Sequence, residues 1–176
     1  LIQGWDVLPA DSRNLGFIFY NGWLRRTYET GMNRLIFCLD KDSKLEGDKV
    51  INLAENVMKI YQEMFGKIPV HDFYLLDYDF SFNRENYIPA DIASIPHELA
   101  HFWWKFPAEL WLSEGFATYA EALYTERTEK QSAFFRDLDS LKKKAIRSIK
   151  AGLDLPLVGS GYHSLLYSKG ALVVHS

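Results

Sequence analysis

Cysteine is nearly absent: Cys38 stands alone among 176 residues. A single cysteine cannot close an intrachain disulfide, which disfavours a disulfide-stapled secreted domain and leans the compartment toward the cytoplasm. An excess of either charge is also lacking. Twenty Lys and Arg against 23 Asp and Glu leave a net charge of -3, which gives no electrostatic footprint for nucleic acid. No apolar run is long enough to span a bilayer. Leu1 to Leu8 lacks the basic and apolar regions of a signal peptide. Internal repeats and low-complexity linkers are missing too. The chain opens without an initiator Met, and Ala171 to Ser176 stops inside an apolar, helical-looking run. It therefore reads as a piece of a longer protein, and missing targeting signals carry little weight.

What is present is a core. Hydrophobic residues make up 48% of the chain and aromatic residues 15%, which fits a packed interior or a lined cleft and argues against disorder. The length suits one compact domain. The first third reads as short strands. Gly16 to Tyr20 and Trp23 to Tyr28 flank Asn21-Gly22, a hairpin signal, and Asn33 to Leu39 and His71 to Leu76 read as further strands. A helix is expected from Asp48 to about Phe65, capped by Asp48 and ended by Gly66. Its apolar face would be Val50, Leu53, Val57, Ile60, Tyr61 and Met64.

From Asp91 onward the pattern turns helical. Asp91 to Trp104 reads as one helix, which Pro96 either starts or kinks. A second runs from Ser113, its plausible cap, to about Thr128. A third, from about Ser132 to Ile149, buries Phe134, Leu138, Leu141, Ala145 and Ile149, while Lys142, Lys143 and Lys144 face solvent. Gly152 ends it, and a last helix starts near Ser164. Strands first and helices later predict an α+β domain, with a strand-rich part over about 1–88 and a helical part over about 89–176.

The chemistry concentrates at His97-Glu98-Leu99-Ala100-His101. Residues four apart on a helix share a face, so His97 and His101 supply two imidazoles, half of a zinc site. Glu98 lies beside the first, where its carboxylate reaches a metal-bound water and can take its proton. A catalytic zinc needs a third protein ligand. Glu109, Glu114 and Glu121 are the candidates. Spacing does not choose between Glu114 and Glu121, which lie on about the same helix face. The one that does not bind metal can still accept the N–H of a ligating imidazole.

Three segments carry a resemblance. His97 to Trp103 is HELAHFW, Trp111 to Glu121 is WLSEGFATYAE, and Tyr167 to Val173 is YSKGALV. In this order they resemble the zinc aminopeptidase family typified by aminopeptidase N and leukotriene hydrolase, within the gluzincins. The match covers about the last half of the chain. The resemblance implies a thermolysin-like zincin catalytic domain and a metallopeptidase that binds one zinc ion and hydrolyses a peptide substrate. It implies His97, His101 and Glu114 as metal ligands, Glu98 as general base, and Tyr167 as the hydroxyl that stabilises the oxyanion. Lys169 and Gly170 would support the local backbone. Trp103, Trp104 and Trp111 would pack in the core rather than line the cleft.

Two departures qualify it. Only twelve residues, Phe102 to Ser113, separate the second His from Glu114. That connection is shorter than in the family, so the cleft wall beside it must differ. The family's exopeptidase segment, G-x-M-E-N, is not found. Glu85-Asn86 repeats its last two letters and reads as a chance dipeptide. Two other expectations therefore stand beside the aminopeptidase: a zinc endopeptidase without amino-terminal recognition, and a non-catalytic scaffold that keeps the fold.

Overall fold

A computed structural model describes the backbone of residues 6–8, 18–20, 23–30, 33–40, 72–76 and 87–89. It describes residues 47–67, 93–104, 109–159 and 164–176 with their side chains, the side chains from 48 on. The chain divides into two compact units. One holds Leu1–Glu55 with Pro69–Ile95, the other Asn56–Ile68 with Pro96–Ser176.

In the first unit, β1 (Asp6–Leu8) pairs antiparallel with β2 (Ile18–Tyr20). A four-stranded sheet has the order β3 (Trp23–Thr30), β4 (Asn33–Asp40), β5 (Asp72–Leu76), β6 (Tyr87–Pro89). β3 and β4 are antiparallel, with Thr30 opposite Asn33. β4 with β5 and β5 with β6 are parallel. Parallel neighbours need a long connection, and helix α1 (Gly47–Phe65) lies between β4 and β5 in the chain. The Asn21-Gly22 turn and the Glu85-Asn86 dipeptide fall outside the described residues. The strands flanking Asn21-Gly22 pair elsewhere, β2 with β1 and β3 with β4.

The second unit takes the C-terminal part of α1 and four more helices: α2 (Ile95–Ala100), α3 (Leu110–Thr128), α4 (Gln131–Lys150) and α5 (Leu165–His175). The buried face of α1 is Val50, Ala54, Val57, Met58 and Tyr61. Leu53, Ile60 and Met64, expected inside, are only half-buried. The stripe is thus rotated toward Ala54 and Met58.

Gly66, with φ of 86°, ends α1. After α4, the Gly152 N–H bonds Ile149 O at 3.0 Å and the Leu153 N–H bonds Ser148 O at 3.0 Å. With Gly152 at φ 81°, this is a Schellman termination, which satisfies the last carbonyls through a left-handed residue. α2 is much shorter than the Asp91–Trp104 span the sequence suggests. It starts at Ile95, with Pro96 in its first turn, where the missing N–H costs nothing.

The core of this unit joins α3, α4 and α5. Ala122, Phe134, Leu138, Leu141 and Ala171 are buried together, with Tyr119, Leu123 and Leu172 packed on them. Ala145 is also buried, but Ile149, expected inside, is 39% exposed. α3 and α5 meet backbone to backbone. A Cβ built on Gly115 would lie 2.8 Å from the Gly170 carbonyl carbon, and one on Gly170 would lie 3.1 Å from Trp111 O. No larger residue keeps this crossing unchanged.

Candidate metal centre and active site

α2 carries His97 and Glu98, and His101 sits in the turn that follows. The Phe102 N–H bonds Leu99 O at 3.2 Å and the Trp104 N–H bonds Ala100 O at 3.2 Å, so the backbone still winds past the helix end. The two imidazoles stand nearly perpendicular, 84° apart, with centroids separated by 4.9 Å. Trp103 and Trp104 anchor this turn on α1. The Trp103 indole N–H donates to Gly66 O at 2.8 Å, and its ring lies edge-on to Tyr61. Trp104 packs edge-on to Phe65 and stacks on Phe116 at 10°. The Tyr61 hydroxyl donates to Pro96 O at 3.0 Å. These aromatics hold α2 in place, which is packing work rather than cleft lining.

α3 brings the carboxylate. Glu114 Oε2 lies 3.1 Å from His97 Nε2 and 3.6 Å from His101 Nε2. One ligand atom from each of His97, His101 and Glu114 falls within 4.8 Å of the others, so the three could hold a metal ion. Two atoms bound to a tetrahedral zinc at about 2.0–2.1 Å are about 3.3 Å apart. The observed 3.1 and 3.6 Å bracket that spacing, so the donor set fits zinc in both chemistry and separation. Glu109, the other candidate, is the residue preceding α3 and is not part of this cluster.

The outer nitrogens of both imidazoles are also engaged. His97 Nδ1 faces Glu121 Oε2 at 3.7 Å. His101 Nδ1 lies 3.1 Å from Ser113 Oγ, and that hydroxyl donates to Trp104 O at 3.0 Å. Since the serine proton goes to the carbonyl, Oγ can only accept, and His101 Nδ1 must carry the hydrogen. A carboxylate facing His97 Nδ1 favours the same tautomer there. With Nδ1 carrying a hydrogen, Nε2 is the nitrogen turned to Glu114; at His97 a proton there makes the 3.1 Å hydrogen bond to the carboxylate, and a metal would take that proton's place. Ser113 is thus no helix cap. α3 begins at Leu110, and no side chain caps it. The serine's position, one residue before Glu114 on the side facing the turn, is the only sequence signal of its role.

Charge follows this geometry. Burial disfavours an imidazolium at His97, but hydrogen bonds to Glu114 and Glu121 and the negative charge of Glu98 and Glu114 prevail, raising it to about 9. Burial likewise raises the Glu114 carboxyl, but hydrogen bonds from and charges on His101 and His97 prevail and hold it at about 2. Without metal, the pair is an imidazolium against a carboxylate. Tyr167, on α5, lies with its ring centroid 5.5 Å from that of His97. His97, His101 and Glu114 thus converge from α2, the turn after it and α3, with the Tyr167 ring of α5 beside His97. Lys169, two residues on, donates to Asp154 at 2.9 Å and ties α5 to the loop after α4.

Fold and site together define a helical core with a His-His-Glu group that could hold a metal ion. Comparison with solved structures shows the fold of the M1 zinc metallopeptidases. A point mutant of the M1 zinc metallopeptidase from Deinococcus radiodurans, bound to a Tyr-Ser-Ala substrate, matches with a TM-score of 0.59 at 20% identity, over 88% of this chain and 40% of that one. The M1 zinc metallopeptidase from the same organism without that mutation matches at 0.58 and 22% identity, with the same coverage. A two-domain M1 zinc metallopeptidase mutant bound to L-arginine gives 0.58 at 21% identity. The chain spans about 40% of the length of these structures. No protein-family model and no curated protein sequence matches it. Among the described residues, no helix is long and apolar enough to cross a membrane.

Proposed function

We propose that this chain is the catalytic part of a zinc-dependent peptidase of the gluzincin type, built on a thermolysin-like α+β domain within a longer protein. The observation that carries the reading is the convergence of His97 Nε2 and His101 Nε2 on Glu114 Oε2, with both outer nitrogens already facing acceptors. Zinc held by these three residues would supply a Lewis acid that polarises a substrate carbonyl and acidifies water. Glu98 takes the proton of the attacking water and returns it to the leaving amine. Tyr167, beside His97, donates its hydroxyl to the developing oxyanion, where a donor helps most because the charge appears only in the transition state.

General-base catalysis contributes about 10²–10⁴ in rate. Glu98→Gln should keep one zinc per chain, measured by elemental analysis, and lose kcat by that factor. A variant that cleaves peptides as fast as wild type would place the base elsewhere. The motifs favour an aminopeptidase. Peptides with free and blocked amino termini decide this point, because equal cleavage of both is the mark of an endopeptidase.

A further inference from the structure

A cavity of about 620 Å³ opens beside the metal cluster, bounded by His97 and by the helices α3, α4 and α5. Its size is that of a site for a small molecule or a short peptide. Thr118 and Glu121 line it from α3, Tyr167 from α5, and Asp137, Lys144 and Arg147 from α4. Its charged groups are not equivalent. Glu121 is turned to His97, and Asp137 lies 3.8 Å from Arg136 Nε. Both cavity carboxylates thus have cationic or imidazole partners. Lys144 and Arg147 are exposed, and no ion pair of either is found among the described residues. The neighbouring Lys143 is already paired with Asp139. Thr118 is 8% exposed, and its buried Oγ1 has no hydrogen-bond partner.

Lys144 and Arg147 are three residues apart, so they neighbour one another on α4. The two-residue link between α3 and α4 turns the chain back, which sets the C-terminal half of α4, with both cations, beside the N-terminal half of α3, with Glu114. A guanidinium and an ammonium on one wall form an anion receptor, and the planar fork of Arg suits a carboxylate. A buried hydroxyl without a partner is costly unless a ligand or water completes it.

We propose that Lys144 and Arg147 form a carboxylate-recognition site that selects anionic short peptides, with Thr118 as a further polar contact. The inference rests on the peptidase reading, since it takes the cavity as the path of the peptide beyond the scissile bond. The carboxylate is either the free C-terminus of a short peptide or an acidic side chain.

The test uses the full chain carrying Glu98→Gln, so that bound peptide survives, and reads affinity by calorimetry. Ala-Ala-Ala and its C-terminal amide probe the terminal carboxylate. The amides of Ala-Glu-Ala and Ala-Gln-Ala probe an acidic side chain. The expected result is a preference of about ten- to hundredfold for the anionic member of one pair, as for a charge-assisted contact. Adding Lys144→Met and Arg147→Gln should abolish the preference between the carboxylate-bearing and amidated members, with the circular-dichroism spectrum and zinc content of the chain retained. Equal binding within both pairs, or a preference that survives the double substitution, overturns the proposal. Cleavage of amidated neutral peptides by the chain with Glu98 intact reports on the peptidase reading separately. If no peptide is cleaved but the preference appears and depends on the two cations, the peptidase reading falls and the carboxylate site stands.

Discussion

The two histidines of the candidate metal cluster are held by different chemistry. His97 is the more buried, 12% exposed at its side chain, and its outer nitrogen faces the carboxylate of Glu121. His101 is 24% exposed, and its outer nitrogen faces a neutral hydroxyl that is tied to a backbone carbonyl. One half of the site is supported by charge, the other by a relay of neutral hydrogen bonds. A charged acceptor raises the basicity of an imidazole, and with it the hold on a metal, but also the hold on a competing proton. A neutral acceptor fixes orientation with little effect on charge. The halves should therefore respond differently to pH and to loss of the outer partner.

The largest effect should come from pH. The His97 imidazole is raised to about 9, so in the metal-free chain its pairing stabilises the fold fully below about pH 6.5, the ordinary imidazole value. That contribution is lost as pH rises through about 9. The Glu114 carboxyl is lowered to about 2, so its contribution is present above about pH 4.5 and lost as pH falls through about 2. Zinc must displace the His97 proton. Zinc affinity, measured by competition with a chelator, should therefore rise about tenfold per pH unit between about pH 6.5 and 8.5. A flat profile would show that the charged half does not hold a proton in the way its surroundings dictate.

Removing the charge at Glu121 comes next. Loss of an outer partner of a metal-ligating His costs about 10–100-fold in metal affinity. Glu121→Gln keeps a hydrogen-bond acceptor but not the charge. It should weaken zinc toward the upper part of that range and shift the steep part of the pH profile to lower pH, because His97 then holds its proton less tightly. A drop in affinity with no shift of the profile would mean that Glu121 only orients the ring and that the two halves are alike.

Much of this site was legible in the sequence, for definite reasons. The spacing of His97 and His101 and the carboxylate of Glu98 are local, and helix periodicity alone places them. Glu114 and Glu121 were both in view, but seven residues on one helix face are about two turns, and no pattern says which turn meets the imidazoles. Only the packing of α3 against α2 and the turn after it brings Glu114 to both Nε2 atoms and Glu121 to His97 Nδ1. Tyr167 was reached only through a resemblance, because one tyrosine on a helix has no local mark of its partner. The burial of α1 was misjudged by one step around the helix, since periodicity finds a stripe but not its centre. The cavity was not legible at all. Lys144 is one of three exposed lysines, as the sequence suggests, but no pattern says that it borders the same cavity as His97.

The smallest effect should come from the neutral half. Ser113→Ala removes the acceptor for His101 Nδ1 and the donor to Trp104 O together. Water can replace part of this at a site that is 24% exposed, so zinc affinity should fall by about tenfold, the low end for such partners. The charge near His97 is untouched, so the pH profile of zinc binding should keep its slope and position. Ser113→Asn restores an acceptor at the same place and should recover most of the loss. If Ser113→Ala instead moved the pH profile as Glu121→Gln is expected to, the hydroxyl would be acting on charge, and the contrast between the two halves would fail. If it changed nothing, Trp104 and its aromatic neighbours would hold the His101 turn without help from the serine.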